Sequence, residues 1–383
     1  MKRRILVLNE RDPHHPLTGG AETHIFEIFE RLARRGYDVT LLAASFPGSP
    51  REEMVQGVRV VRLVNRYFYY GVVAWAARRE AKRMGGVDVV VDVLNKLPFC
   101  SRWLLPYPCF AIVHHLFGTT AFRQVPLPIA VLTYLAEKLI PSAYRGVPMM
   151  AISPSTKDDL VERGLAASQI WVVPPGVDRA THLPTDDGLH REPLILWVGR
   201  LEPYKRADLM IEAMPEILAK VPDARLVIVG AGTGRSAFEA RVVALGLGDH
   251  VSFTGFVSEE VKIDWLRKAA VTVQTSEKEG WGMTVIEGNV CNTPAVASDV
   301  PGLRDSVQDG VSGLLFPYGD RAALARAILR ILTEPELREK LVREGCIWGN
   351  RFGWDEVADD TATLIERAIS PSTEPVVLTA SPF

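Results

Sequence analysis

Short, unbroken apolar runs recur along the chain, and many are followed by a stretch with apolar residues at helical spacing. Runs at 4–8, 38–43, 58–62, 88–93, 110–114 and 149–152 read as strands in the first half. Runs at 194–198, 225–229, 250–253, 271–274 and 295–297 do so in the second. Helical spacing marks 23–35, 206–220, 283–291 and 354–368 among others. A strand that is apolar at consecutive positions is buried on both faces, and helical crossovers make such strands parallel. The pattern runs through both halves, which predicts an α/β protein of two Rossmann-like domains facing across a central cleft. Between the halves, 174–193 is rich in Pro, Gly and Asp and reads as a linker. The expected domains are therefore 1–180 and 190–353, with 369–383 a flexible tail.

Length agrees with this division, because 383 residues exceed what one core usually holds. With 47% apolar and 23% charged residues, the composition is that of an ordinary globular protein. The basic start, Lys2 to Arg4, meets only a short apolar run before Glu10, so it reads as a first strand rather than a signal peptide. No stretch approaches the ~20 apolar residues of a membrane span. Four scattered cysteines suit free thiols, and a cytoplasmic location is expected. Charge is uneven. Residues 1–180 carry 23 Lys+Arg against 16 Asp+Glu, a net of +7, and the rest carries 21 against 30, a net of −9. A basic first half suits an anionic partner such as a lipid phosphate, and equally an ordinary soluble surface.

Ligands of parallel sheets bind outside the carboxyl ends of the strands, and the unusual residues stand there. Gly199 and Arg200 follow the run 194–198, with Lys205 just before a helix. A forked guanidinium, a point-charge ammonium and helix amides would together hold a diphosphate and offset the charge of its departure. After the run 271–274 come Glu279, Gly280, Trp281, Gly282, Met283 and Thr284, with Glu287 inside the next helix. One carboxylate on a loop and one on a helix suit sugar-hydroxyl acceptors better than a hydrolytic acid–base pair. Gly19 and Gly20 at the head of helix 23–35 offer bare amides to an anion. His114 and His115 end the run 110–114 and would point to opposite faces, so at most one serves a site. The stretch from Gly230 to Gly234 has the spacing G-x-G-x-G, not that of a dinucleotide fingerprint, and the next strand brings no terminal acid for a ribose.

Together these motifs resemble glycosyltransferase family 4, the retaining enzymes of the two-domain GT-B fold. Arg200 and Lys205 look like its diphosphate clamp, and Glu279 to Glu287 like its E-x7-E signature. Thr293 to Ser298, Pro301 to Asp305 and Asp309 to Gly313 are similar to its C-terminal run. Gly19 to Glu22, His114 and the linker Pro175 to Asp178 match further landmarks. The resemblance implies that Arg200 and Lys205 hold the donor diphosphate and that amides near Gly19 and Gly20 touch its distal phosphate. It implies that Glu287 binds the ribose and that backbone near Val257 faces the base. Glu279, with backbone of Gly282, Met283 and Thr284, would position the sugar, and His114 would contact it from the other domain. It further implies a nucleotide-diphosphate sugar as co-substrate, anomeric retention, no metal and no other cofactor, and a last helix, 354–368, packed back on the first domain. Arg206 and Asn292 stand where the family usually has glycine, and Pro175 where asparagine is common.

The donor reads as UDP- or GDP-linked and the acceptor as a hydroxyl of a glycan, lipid-linked or small molecule. Aromatics and cations interleave from Arg62 to Arg83, and 127–140 adds amphipathic surface, which fits a peripheral membrane face. No nucleic-acid-binding motif accompanies it, so nucleic acid is not an expected partner. An epimerase or hydrolase of the same fold, and a non-catalytic sugar-nucleotide sensor, are the alternatives.

Overall fold

The computed structural model describes residues 2–120, 122, 126–372 and 375–383. The chain divides into two compact units, Met1–Gly176 with Trp354–Phe383, and Val177–Gly353.

The first unit is built on eight strands: β1 (Arg4–Leu8), β2 (Asp38–Ser45), β3 (Glu52–Val55), β4 (Val58–Asn65), β5 (Val89–Leu94), β6 (Cys109–Val113), β7 (Met149–Ala151) and β8 (Ile170–Val172). Their order is β3-β4-β2-β1-β5-β6-β7-β8, all parallel except the β3–β4 pair. The central strands are buried along their length, as continuous apolar runs require. β3 escaped the sequence reading as a polar edge strand, and β8 as a three-residue strand at the other edge of the sheet. The order reverses at β1, with β2 on one side and β5 on the other, so the segments after β1 and β5 open the crevice where such sheets take ligands.

The second unit has six strands: β9 (Leu194–Val198), β10 (Arg225–Val229), β11 (Val251–Gly255), β12 (Val271–Gln274), β13 (Ala295–Ser298) and β14 (Gly313–Phe316). Their order, β11-β10-β9-β12-β13-β14, is wholly parallel and reverses between β9 and β12. One core of buried Ile, Leu, Val and Met packs this sheet on helices Ala207–Leu218 and Arg321–Thr333.

The helix Trp354–Ile369 belongs to the first unit, where Arg31 and Arg35 reach Asp355 and Asp359, and Arg3 reaches Glu366 at 2.7 Å. The closing segment, expected to fray, returns to this helix. Buried Asp360 accepts from the amides of Thr379 and Ala380 at 2.8 and 2.7 Å.

Candidate functional site

In the second unit, β9 and β12 lie side by side, and the loops that follow them meet. Thr275, just past β12, takes the Trp197 indole N–H at 3.0 Å and donates to the carbonyls of Lys205 and Arg206. It thereby pins the 203–206 turn from below. Lys205 Nζ is ion-paired with Glu279 Oε1, which also accepts from Ser276 Oγ at 2.6 Å. Burial works against the Lys205 charge, but Glu279 beside it more than restores it, and the ammonium is held above its ordinary range. Arg200 stays exposed at the rim, with Nη2 donating to the Tyr204 hydroxyl at 2.9 Å. The two cations and the loop carboxylate predicted from sequence are thus brought to one place.

Two glycines make this loop geometry possible. A Cβ on Gly302, at φ +83°, would overlap the Glu279 carbonyl, so only glycine lets the 301–302 backbone support the acid. A Cβ on Gly230 would overlap the Gly199 carbonyl, and Leu201 N–H bonds Ala231 O alongside. The dinucleotide-like glycines of 230–234 are therefore a cradle for the Arg200 loop. The two departures from family glycine, Arg206 and Asn292, both sit in the left-handed region, at φ 54° and 59°. That conformation explains why glycine is usual there.

The helix Met283–Val290 begins at Gly282, so the amides of Met283 and Thr284 lie in its unbonded first turn. Glu287 is buried on this helix, and its Oε2 faces Lys262 Nζ at 3.0 Å. Lys262 rides on the helix Glu259–Lys268, which starts just after Val257. His182, Glu259 and Glu287 place potential ligand atoms within 4.8 Å of one another, but the Lys262 ammonium already lies between the two carboxylates. A built-in cation there disfavours a metal ion.

In the first unit, the helix Gly20–Arg34 is capped by Gly19, whose amide donates to Glu22 Oε2 at 2.9 Å. Part of the amide cluster expected at Gly19 and Gly20 is thus already satisfied by an acid, which burial pushes toward its neutral form. β6 stops at Val113, so His114 lies just past the strand end. It is buried, with Nε2 2.9 Å from His24 Nδ1. Burial drives His24 down to about 3 and His114 well down too, so both rings are neutral. His114 Nδ1 and His24 Nε2 are buried without hydrogen-bond partners.

After β1, the run Asn9 to Asp12 is buried and polar. Lys96 Nζ lies 2.7 Å from Glu10 Oε1, and Arg11 Nε and Arg66 Nε approach the same oxygen at 3.8 and 3.9 Å. Arg11 also faces Glu22 at 3.7 Å, while its Nε and Asn95 Oδ1 lack hydrogen-bond partners. Burial, and then repulsion from Arg11 against the pull of Glu10, holds Lys96 below its ordinary range. Three cations, one buried and two half-buried, therefore crowd a single carboxylate oxygen. Arg62 corrects the sequence reading: it is no surface cation, since its wholly buried guanidinium forks onto Asp12 at 2.8 and 2.9 Å. Tyr69 is likewise core, whereas Tyr67, Phe68 and Trp75 are exposed.

His24, Lys262, Arg11 and Lys96 escaped the sequence reading. The 9–12 run carried a signal, since charged residues directly after a first strand stand at the ligand end of the sheet. His24 and Lys262 lie inside helices, where nothing in the spacing separates them from surface residues.

Two Rossmann-like units, a cationic turn after β9 and an E-x7-E pair after β12 define a glycosyltransferase. The chain belongs to glycosyltransferase family 4: residues 18–181 match the family described as Glycosyltransferase Family 4, and residues 185–347 that described as Glycosyl transferases group 1. Among named relatives, the D-inositol 3-phosphate glycosyltransferase of Acidothermus cellulolyticus is 30% identical over 92% of this chain and 86% of its own. That of Streptosporangium roseum is 32% identical over 92% and 89%. Of solved structures, sucrose-phosphate synthase from Thermosynechococcus elongatus superposes with a TM-score of 0.82 at 23% identity, covering 97% of this chain and 100% of that one. Anabaena Alr3699/HepE, in complex with UDP and glucose, gives 0.76 at 17% identity, covering 95% and 99%. At these identities the structural likeness speaks for the fold.

Proposed function

We propose that this glycosyltransferase moves a hexose from a UDP- or GDP-linked donor to a hydroxyl of a phosphate-bearing polyol, with retention and without a metal. The observation that carries the donor reading is the Lys205–Glu279 pair at the point where the second sheet reverses. In the free enzyme the two side chains neutralise each other. An arriving diphosphate competes for Lys205 and, with Arg200, gains two cations. Glu279 is then free to accept from hydroxyls of the attached sugar. As the bond from the anomeric carbon to the diphosphate oxygen breaks, negative charge grows on that oxygen, and the same cations stabilise it. The acceptor hydroxyl attacks from the face the phosphate leaves, and its proton passes to the departing phosphate oxygen.

The acceptor reading rests on the cluster of Arg11, Arg66 and Lys96, which follow β1, β4 and β5 respectively, and on relatives named for D-inositol 3-phosphate. A second reading, a lipid-linked acceptor at a membrane face, is favoured by the helix Leu127–Glu137, which exposes Leu127, Ile129, Leu132 and Leu135 at 50–67%. Among the described residues no helix is long and apolar enough to cross a membrane, so such contact would be peripheral.

The test is product analysis with UDP- and GDP-hexoses against inositol and D-inositol 3-phosphate. Transfer to the phosphorylated acceptor, lost in Lys205→Ala and Glu279→Ala while both variants stay folded, is the expected result. Wild-type rates in both variants contradict the site, and release of free sugar with every acceptor favours a hydrolase.

A further inference from the structure

Lys262 is a buried cation that the diphosphate reading does not use. Its Nζ lies 2.7 Å from Glu259 Oε1 and 3.0 Å from Glu287 Oε2. Burial penalises its charge, yet the two carboxylates, Glu287 foremost, hold it above its ordinary range. The partners are unequal, because the Glu287 side chain is 9% exposed and that of Glu259 63%. An ion pair with an exposed acid contributes little, whereas removing one partner of a buried pair leaves an uncompensated charge.

The pair also joins two elements. Lys262 comes from the helix that follows β11 and Val257, and Glu287 from the helix that follows the Glu279 loop. Under the donor reading, the first segment faces the base and the second the ribose. A third segment meets them: His182, just past the domain boundary, is buried with Nδ1 2.9 Å from Asp178 O and Nε2 3.8 Å from Glu259 Oε1. Lys262 Nζ lies at ion-pair distance from Glu287 Oε2, a buried oxygen without a hydrogen-bond partner, and so restrains the carboxylate while leaving it capacity to accept.

We infer that Lys262 is a positioning residue for the nucleoside: it holds the Glu287 carboxylate in place so that it can accept hydrogen bonds from the ribose hydroxyls. The inference rests on the donor reading and adds to it a residue that touches neither sugar nor phosphate. Hydrogen bonds to a charged group exceed neutral ones in worth, so the loss of an oriented carboxylate should cost a ribonucleotide about tenfold or more in affinity.

The experiment titrates UDP and GDP, and their 2′,3′-dideoxy counterparts, into the wild-type enzyme, Lys262→Met and Lys262→Arg. Wild type should prefer the ribonucleotide about tenfold or more. Lys262→Met should abolish that preference while binding the dideoxy compound as wild type does, which also shows that it is folded. Lys262→Arg, which keeps the charge, should restore much of the preference. In turnover, Lys262→Met should raise the donor KM with kcat little changed, as expected when ground state and transition state lose the same contact. A ribose preference undiminished in Lys262→Met overturns the inference, as does a wild-type enzyme indifferent to the ribose hydroxyls. A wild-type enzyme that binds no nucleoside diphosphate at all overturns the donor reading instead.

Discussion

Replacing Gly302 by alanine tests whether the 301–302 backbone sets the position of Glu279. Gly302 has φ +83°, and an added Cβ would overlap the Glu279 carbonyl oxygen and lie 2.7 Å from its carbon and 2.8 Å from the Gly280 carbonyl carbon. Ordinary contact begins near 3.4 Å, so the Glu279 carbonyl, the nearest group, must retreat by about 1 Å. The neighbour is main chain, which no rotamer change can move aside. Left-handed backbone adds about 1–2 kcal/mol of strain for any residue with a Cβ. A misplacement of about 1 Å can cost a catalytic group ~100-fold, or ~2.7 kcal/mol of barrier. Gly310 supplies the control, because it has φ +69° but nothing within 4 Å of an added Cβ. Gly310→Ala should therefore lose stability alone, while Gly302→Ala should lose stability and about two orders of magnitude in transfer rate. Thermal melts and initial rates of nucleoside diphosphate release separate the two effects. A folded Gly302→Ala enzyme with the rate of Gly310→Ala would refute the claim that this contact places the acid.

Acid sensitivity should follow the buried histidines. His24 is held down to about 3, whereas an unfolded histidine titrates near 6.5, so the unfolded chain takes up the proton first and stability falls as pH drops below about 6.5. By pH 4.5 the loss from this one group approaches about 2.7 kcal/mol. Buried Asp92, raised to about 6, acts oppositely: its contribution is present at low pH and lost as pH rises through about 6. The informative comparison is therefore His24→Gln against wild type between pH 7 and 4.5, with the variant losing about 2 kcal/mol less in denaturant melts. Parallel curves would show that the ring is not held neutral. For the membrane reading, co-sedimentation with anionic vesicles should fall when Ile129, Leu132 and Leu135 are all replaced by serine. Binding that ignores either the lipid or the substitutions would end it.

How much of this was legible in the chain depends on the range of the interaction. Continuous apolar runs report burial on both faces, so most parallel strands of both sheets could be placed to within a few residues; short β8, the four-residue edge strand β14 and polar β3 were not. Arg200, Lys205, Glu279 and Glu287 stood out because each follows a strand at a fixed offset, and a parallel sheet delivers such loops to one end. That Arg206 and Asn292 depart from glycine was readable, but that both are left-handed was not.

What only the tertiary structure decided is which charges meet. Residues 62 and 66 look alike in sequence, yet Arg62 is sealed against Asp12 while Arg66 approaches Glu10 with two other cations. His24 and His114 are 90 positions apart and share a hydrogen bond. Lys262 meets Glu287 only because β11 and β12 lie on opposite sides of β9, with their following helices folded to a common edge. Periodicity is a property of neighbours along the chain and fixes which face of an element is buried. Ion pairing is decided by distances of a few ångströms between elements far apart in sequence, and those distances exist only once each sheet and its helices have packed.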